Sequence, residues 1–227
     1  MRTTHDAVRA AFRDECTALG DVLRELTPAD LDRPTDCPPW AVRDLVAHVH
    51  AGAGRLTGML AAPAPPRAEV DAAGYFGAAK FTPQVDRDRV ESARRQAREA
   101  TDPGGIAAAF DRDWRAADAA VARQPADRVV RTRHGDAMAL TEFLVTRVVE
   151  AGVHGLDLAA ALGRAPWLTP TAAEVVTALL TGGRAVPPEL GWDRLTVLRK
   201  ATGRDPLTGR ERTALGAAGL RLLAFAG

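Results

Sequence analysis

Lysine is nearly missing from this chain, which has only Lys80 and Lys200. Aromatic residues make up 5% of it and cysteine occurs twice. The 30 basic residues are balanced by 29 acidic ones, leaving a net charge of +1. That balance excludes a basic nucleic-acid stripe or a polybasic membrane surface as the main business of the protein. Cys16 and Cys37 are too few for a disulfide framework, and no Cys/His zinc-finger spacing occurs. The amino-terminal run MRTTHDAVRAAFRDE has no apolar signal core, and no apolar stretch approaches membrane-spanning length. A soluble, cytoplasmic protein is expected. No Ser/His/Asp constellation, phosphate-binding glycine loop or dinucleotide fingerprint is present.

What remains is a chain of 227 residues, 46% hydrophobic, long enough to bury a core of Ala, Val and Leu without staples. Its periodicity is helical. Val8, Phe12, Leu19, Val22, Leu23 and Leu26 mark one face of a first helix from about Thr4 to Leu26. Thr27-Pro28 stops it, and PADLDRPTDCPPW reads as a loop. A second helix runs from about Trp40 to Ala62, with Leu45, Val49 and Leu56 on its stripe. The stretch from about Ala64 to Pro83 carries Tyr75, Phe76 and Phe81. It reads as a lid or a packed connection, with room for one short helix. A third helical region, about Asp86 to Arg123, is interrupted at Asp102-Pro103-Gly104-Gly105. Its polar half is a solvated helix or an arm. RVVRTRHGDAMAL reads as a short extended or hairpin-like piece, and a fourth helix follows from about Thr141 to Leu162. Beyond Gly163 three shorter helices are expected: Thr171 to Leu180, Trp192 to Ala201 and Arg210 to Phe225. The class is all-α, led by a four-helix bundle.

Two segments carry candidate chemistry. In VVEAGVHGLDLA, Glu150 and His154 stand one turn apart on a helix face, beside the stripe of Phe143, Leu144, Ala151 and Leu158. A carboxylate and an imidazole turned inward are costly unless paired or metal-bound. The spacing alone accommodates either a hydrogen-bonded pair or half of a metal site. Arg147, three residues earlier, is placed to pair with Glu150 or with a substrate carboxylate. In DLVAHVHAG, His48 and His50 point in nearly opposite directions, and the wheel does not choose between them. Asp44 is one turn before His48 and can orient its imidazole. His5 at a helix start and His134 in a solvent-facing turn are weaker candidates. Cys37 is read as structural.

The run Pro34-Thr35-Asp36-Cys37-Pro38-Pro39-Trp40-Ala41-Val42-Arg43-Asp44-Leu45-Val46-Ala47-His48 resembles the signature of the mycothiol-dependent maleylpyruvate isomerase family, a branch of the DinB-like metalloenzymes. The family pattern is roughly P-T-x-C-P-x-W-x-V-x-D-L-x-x-H, followed about a hundred residues later by E-x-x-x-H-x-x-D. Here the second motif is Glu150, His154 and Asp157. The resemblance covers roughly residues 5 to 165. It implies a DinB-like bundle over residues 1–165, while residues 166–227 read as a small helical extension packed on it. It also implies one divalent metal, usually zinc, held by His48, Glu150 and His154, which favours His48 over His50. Asp44 and Asp157 would stand behind these ligands in orienting or packing roles, with Trp40 as a packing anchor. Arg147, placed by its position alone, is read as standing behind Glu150, structural pairing ahead of substrate binding. Full-length isomerases of the family carry a further α/β domain for which too few residues follow Gly163. Lys200-Ala201-Thr202-Gly203-Arg204 resembles the tails of shorter members.

The implied function is a mycothiol-dependent metalloenzyme that adds a thiol to an electrophilic small molecule, as a cis-trans isomerase or a thiol S-transferase. The alternatives are a metal-binding bundle without turnover and a metal-water hydrolase. No catalytic residue beyond the ligands is assigned. A monomer or homodimer without nucleic-acid or membrane partners is expected.

Overall fold

The computed structural model describes residues 4–77, 82–99 and 102–222. Its elements in order are α1 (His5–Arg24), α2 (Pro28–Leu31), α3 (Val42–Ala61), α4 (Ala72–Tyr75), α5 (Pro83–Glu99) and α6 (Pro103–Val121). Two short strands, β1 (Val129–Arg131) and β2 (Ala137–Ala139), precede α7 (Leu140–Leu162), α8 (Pro170–Leu180), α9 (Arg194–Ala201) and α10 (Gly209–Ala217). The chain is all-α with a DinB-like bundle and a helical carboxy-terminal stretch. Helices α1, α3, α6 and α7 form the bundle, each packed on two of the others.

Local chemistry explains most boundaries. The Thr4 side chain caps α1 by accepting from the Ala7 amide. Asp102 does the same for α6 through Gly105, with Pro103 in the first turn. Gly104 and Gly105 therefore lie inside the opening turn of α6 and do not separate two helices. The Pro28–Trp40 stretch is not wholly loop. Thr27 and Asp30 cap each other reciprocally and nucleate the single turn α2. The last helix is shorter than its periodicity suggested. It ends at Ala217, where Gly219 turns the chain at φ +60°, and Phe225 lies outside the described residues.

The core holds Phe12, Phe110, Phe143 and Met138 among fully buried Leu, Val and Ala residues. β1 and β2 pair antiparallel with Val130 opposite Met138, and both side chains are buried. The described part of the 64–83 stretch is a packed connection. Ala72 donates its amide to Glu142 of α7, and the Glu69 amide donates to the Ala137 carbonyl. Ala72, Tyr75 and Phe76 are buried, while Phe81 lies outside the described residues. The polar α5 is no free arm. It packs on α3 through Ala93 and Ala97, which are buried. Helix α8 lies on α1 and α7, and α9 lies on α8. Among the described residues no helix is long and apolar enough to cross a membrane.

Candidate metal centre

Helices α3 and α7 lie side by side, and their facing turns bring together residues far apart in the chain. His48 projects from α3, and Glu150 and His154 project from α7. His48 Nε2 stands 3.0 Å from Glu150 Oε2, and His154 Nε2 stands 3.4 Å from the same oxygen. The two imidazoles meet edge to face with centroids 5.2 Å apart. All three side chains are half-buried.

Behind His154 lies a second tier. Its Nδ1 is 2.9 Å from Asp157 Oδ2. Asp157 is 3% exposed, and Arg204 clasps it, donating from Nε to Oδ1 at 2.8 Å and from Nη2 to Oδ2 at 2.6 Å. The Cys37 thiol donates to the same Oδ2 at 3.2 Å. Arg204 reaches this point because α9 ends in a left-handed turn. Gly203 has φ +75°, and the Arg204 amide bonds back to the Arg199 carbonyl at 2.9 Å.

These contacts set the charge of the cluster. Burial opposes ionisation of Glu150, yet hydrogen bonds from His154 and His48 outweigh it and hold the carboxyl well below its ordinary value. Burial likewise opposes charge on His154. Bonds to Asp157, Cys37 and Glu150 nevertheless raise its pKa well above that of free imidazole. Burial pulls His48 down against the bond to Glu150. Asp157, despite burial, is held below the usual carboxylate range by His154 and Arg204. With Nδ1 of His154 bonded to Asp157, its Nε2 is the atom left to face the Glu150 oxygen. Two acceptors meet there unless a proton or a cation lies between them. Two imidazole nitrogens and a carboxylate suit a divalent ion such as zinc, so this donor set fits one.

The other residues singled out in the sequence fall differently. Asp44 does not orient His48. Its carboxylate accepts from the Ala41 amide at 3.0 Å and caps α3. Arg147 makes no ion pair with Glu150; its Nε and Nη2 donate to Thr146 Oγ1 at 3.1 and 3.0 Å. Its guanidinium lies 4.8 Å from the Phe143 ring centroid, over a gap that Gly52 leaves, where a Cβ would come within 2.8 Å of Nη1. His50 turns to α6 and meets Asp113 at 2.8 Å. His5 bonds Thr141 at 2.7 Å. His134 does not simply face solvent, since its ring abuts Tyr75 at 5.7 Å. Cys16 is buried in the core.

Sequence reasoning missed Cys37 and Arg204 as neighbours of His154. It also missed Arg55 and Arg133. All four line a cavity of about 730 Å³ that contains His48, Glu150 and His154 on its wall. Arg147, Tyr75 and Phe143 line it too. Among the described residues, Arg55, Arg133 and Arg147 have no carboxylate within 4.0 Å, while Arg89 pairs with Asp86 at 3.1 Å. Burial, together with the charges of Arg133 and Arg147, draws Arg55 below the ordinary guanidinium value. A cavity of this size suits a small organic ligand, and its unpaired cations suit an anionic one.

No curated protein matches the chain. Two solved structures share its fold: the mycothiol-dependent maleylpyruvate isomerase and a histidine-to-alanine mutant of it. Each is 16% identical, with TM-scores of 0.54 and 0.53, and the match covers 80% of this chain and 72% of theirs. Residues 12–159, which hold His48, Glu150, His154 and Asp157, match the family described as the mycothiol maleylpyruvate isomerase N-terminal domain. By that match, the chain belongs to the mycothiol maleylpyruvate isomerase family.

Proposed function

We propose that the protein is a mycothiol-dependent metalloenzyme acting on an anionic, electrophilic small molecule. Residues 1–165 form the metal-binding bundle, and residues 166–227 form an extension that braces it. One observation carries this reading: two histidine Nε2 atoms converge on a single Glu150 oxygen, at 3.0 and 3.4 Å, in a cavity with three unpaired arginines. Zinc is the natural occupant of His48, Glu150 and His154. When bound, it supplies an open Lewis-acid position at which a thiol ionises below its free pKa of about 8.5.

The chain's own residues do the rest. Asp157 holds His154 in one tautomer, so that Nε2 is the free donor atom. Arg147, Arg133 and Arg55 receive a carboxylate of the electrophile and keep its reactive carbon facing the thiol. Tyr75, Phe76 and Phe143 keep water from competing. Addition forms a carbon–sulfur bond and turns a conjugated cis double bond into a rotatable single bond. Elimination breaks the carbon–sulfur bond, restores the alkene as the trans isomer and returns the thiol. If the adduct is released instead, the same site is a thiol S-transferase.

The test is metal content of protein purified without a histidine tag, followed by turnover of unsaturated acids, beginning with maleylpyruvate, with and without mycothiol. Stoichiometric metal and thiol-dependent turnover support the proposal. Metal without turnover leaves a binding bundle, thiol-independent formation of hydrolysis products makes the protein a hydrolase, and thiol-independent isomerisation overturns the mycothiol part of the reading. Failure to take up any divalent metal overturns the reading.

A further inference from the structure

Two donor sets overlap at this centre. His48, Glu150 and His154 converge within 4.8 Å of one another, and so do Cys37, His154 and Asp157. They share one imidazole: Nε2 faces Glu150 and Nδ1 faces Asp157. On donor chemistry alone the second set is the stronger competitor for zinc, because thiolate sulfur is a favoured zinc ligand. We infer that Arg204 decides between them. By occupying Asp157 it withholds Asp157 and Cys37 from the cation and reserves His154 for His48 and Glu150.

The geometry supports this directly. Both oxygens of Asp157 accept from the guanidinium, at 2.8 and 2.6 Å. A divalent cation bound to either oxygen would lie against a fixed positive charge in a poorly solvated place. Arginine cannot yield by losing its proton, as lysine can. Arg204 is also held from behind, since its Nη1 donates to the Thr202 carbonyl at 3.1 Å and its backbone closes the glycine-capped end of α9. The Cys37 thiol is engaged on the same carboxylate, at 3.2 Å from Oδ2. The consequence deepens the proposed function, on whose metal reading it rests. The ligand set contains no protein sulfur, so the only sulfur offered to the cation is that of the incoming thiol. The selector comes from outside the bundle, in the segment that follows α9.

The experiment is cobalt substitution of the full chain. Wild-type protein is expected to bind one cobalt ion with no thiolate-to-cobalt charge-transfer band in the near ultraviolet. Arg204→Ala is expected to gain that band, Arg204→Ala/Cys37→Ser to lose it again, and Arg204→Lys to keep more of the wild-type spectrum than Arg204→Ala. An Arg204→Ala spectrum identical to wild type overturns the inference and reduces Arg204 to a structural latch. A thiolate band in the wild type that Cys37→Ser removes also overturns it. If Arg204→Ala does not fold, Cys37→Ser in the native background decides: cobalt affinity and spectrum unchanged within about twofold support the inference, and any larger change overturns it. Absence of cobalt binding in the wild type is a different result, because it removes the metal reading and this inference with it.

Discussion

The indole of Trp40 lies against the imidazole of His48, with ring centroids 4.8 Å apart and planes tilted by 34°. Trp40 is 7% exposed and also meets His154 edge-on at 6.3 Å. A single buried ring thus limits the rotation of both histidines. Trp40→Leu is expected to weaken zinc binding about tenfold or more, as loss of an orienting neighbour does, while Trp40→Phe keeps most of it. Competition with a chromophoric chelator measures both. Equal affinities in the three proteins would show that the indole only fills space.

Glu150 is the one carboxylate shared by both histidines. Glu150→Gln is expected to lower the metal content of purified protein below about a tenth of wild type. It should also abolish stabilisation by added zinc. For the wild type, zinc at about 100 times its dissociation constant adds about 2.7 kcal/mol, visible as a rise in Tm that EDTA reverses. A zinc-dependent Tm shift retained in the variant would remove Glu150 from the ligand set.

Arg147 is 8% exposed and unpaired with any described carboxylate, which is an unfavourable state for a guanidinium unless a ligand supplies the anion. Arg147→Met is expected to raise KM for an anionic electrophile about 10- to 100-fold, the loss of one charge-assisted hydrogen bond. KM for a neutral electrophile stays unchanged, and Tm is not lowered. Steady-state kinetics with matched acid and amide substrates, beside a thermal melt, test this. An equal loss on both substrates would mean that Arg147 shapes the cavity without reading charge.

Glu15 of α1 is fully buried and accepts from the Thr169 amide at 3.0 Å and hydroxyl at 2.7 Å. Burial raises its pKa, only partly offset by the Thr169 bonds. The folded protein therefore holds this proton more tightly than the unfolded chain does. The stability it contributes is complete below the unfolded value of about 4.3 and is lost as pH rises through the folded value. Glu15→Gln removes that titration. The Tm of the variant minus that of wild type is expected to be more positive at about pH 7.5 than at about pH 4.5. A difference that stays flat across this range would count against a raised Glu15 pKa.

Much of this was legible from residue order. The apolar stripes of α1, α3, α6 and α7 follow a 3.6-residue period over long runs, so the four bundle helices could be read without contacts. The i,i+4 spacing put Glu150 and His154 on one face before any partner was known. Shorter features were harder. Helix α2 hides among prolines, because its stability comes from a reciprocal Thr27–Asp30 cap and no periodicity announces it. Asp44 sits one turn before His48, the right place to orient the ring, but its carboxylate accepts from the amide of Ala41 and caps the helix. His48 and His50 could not be told apart by periodicity, because the stripe centre fell between them and only the neighbouring helix distinguishes the two sides.

The sequence by itself determined which residues are helical, which faces are apolar, and that a carboxylate and an imidazole on the fourth bundle helix must turn inward. Those are local properties, set by a period and by side-chain chemistry within one or two turns. Tertiary structure alone decided that His48 meets Glu150 across 102 residues of chain, and that Arg204 returns from beyond the bundle to clasp Asp157. It also decided that three arginines from α3, the hairpin turn and α7 line one cavity with no described carboxylate within 4.0 Å of them. Such encounters depend on how helices pack and where a glycine turns the chain, and no local pattern encodes the distance between two side chains on different elements.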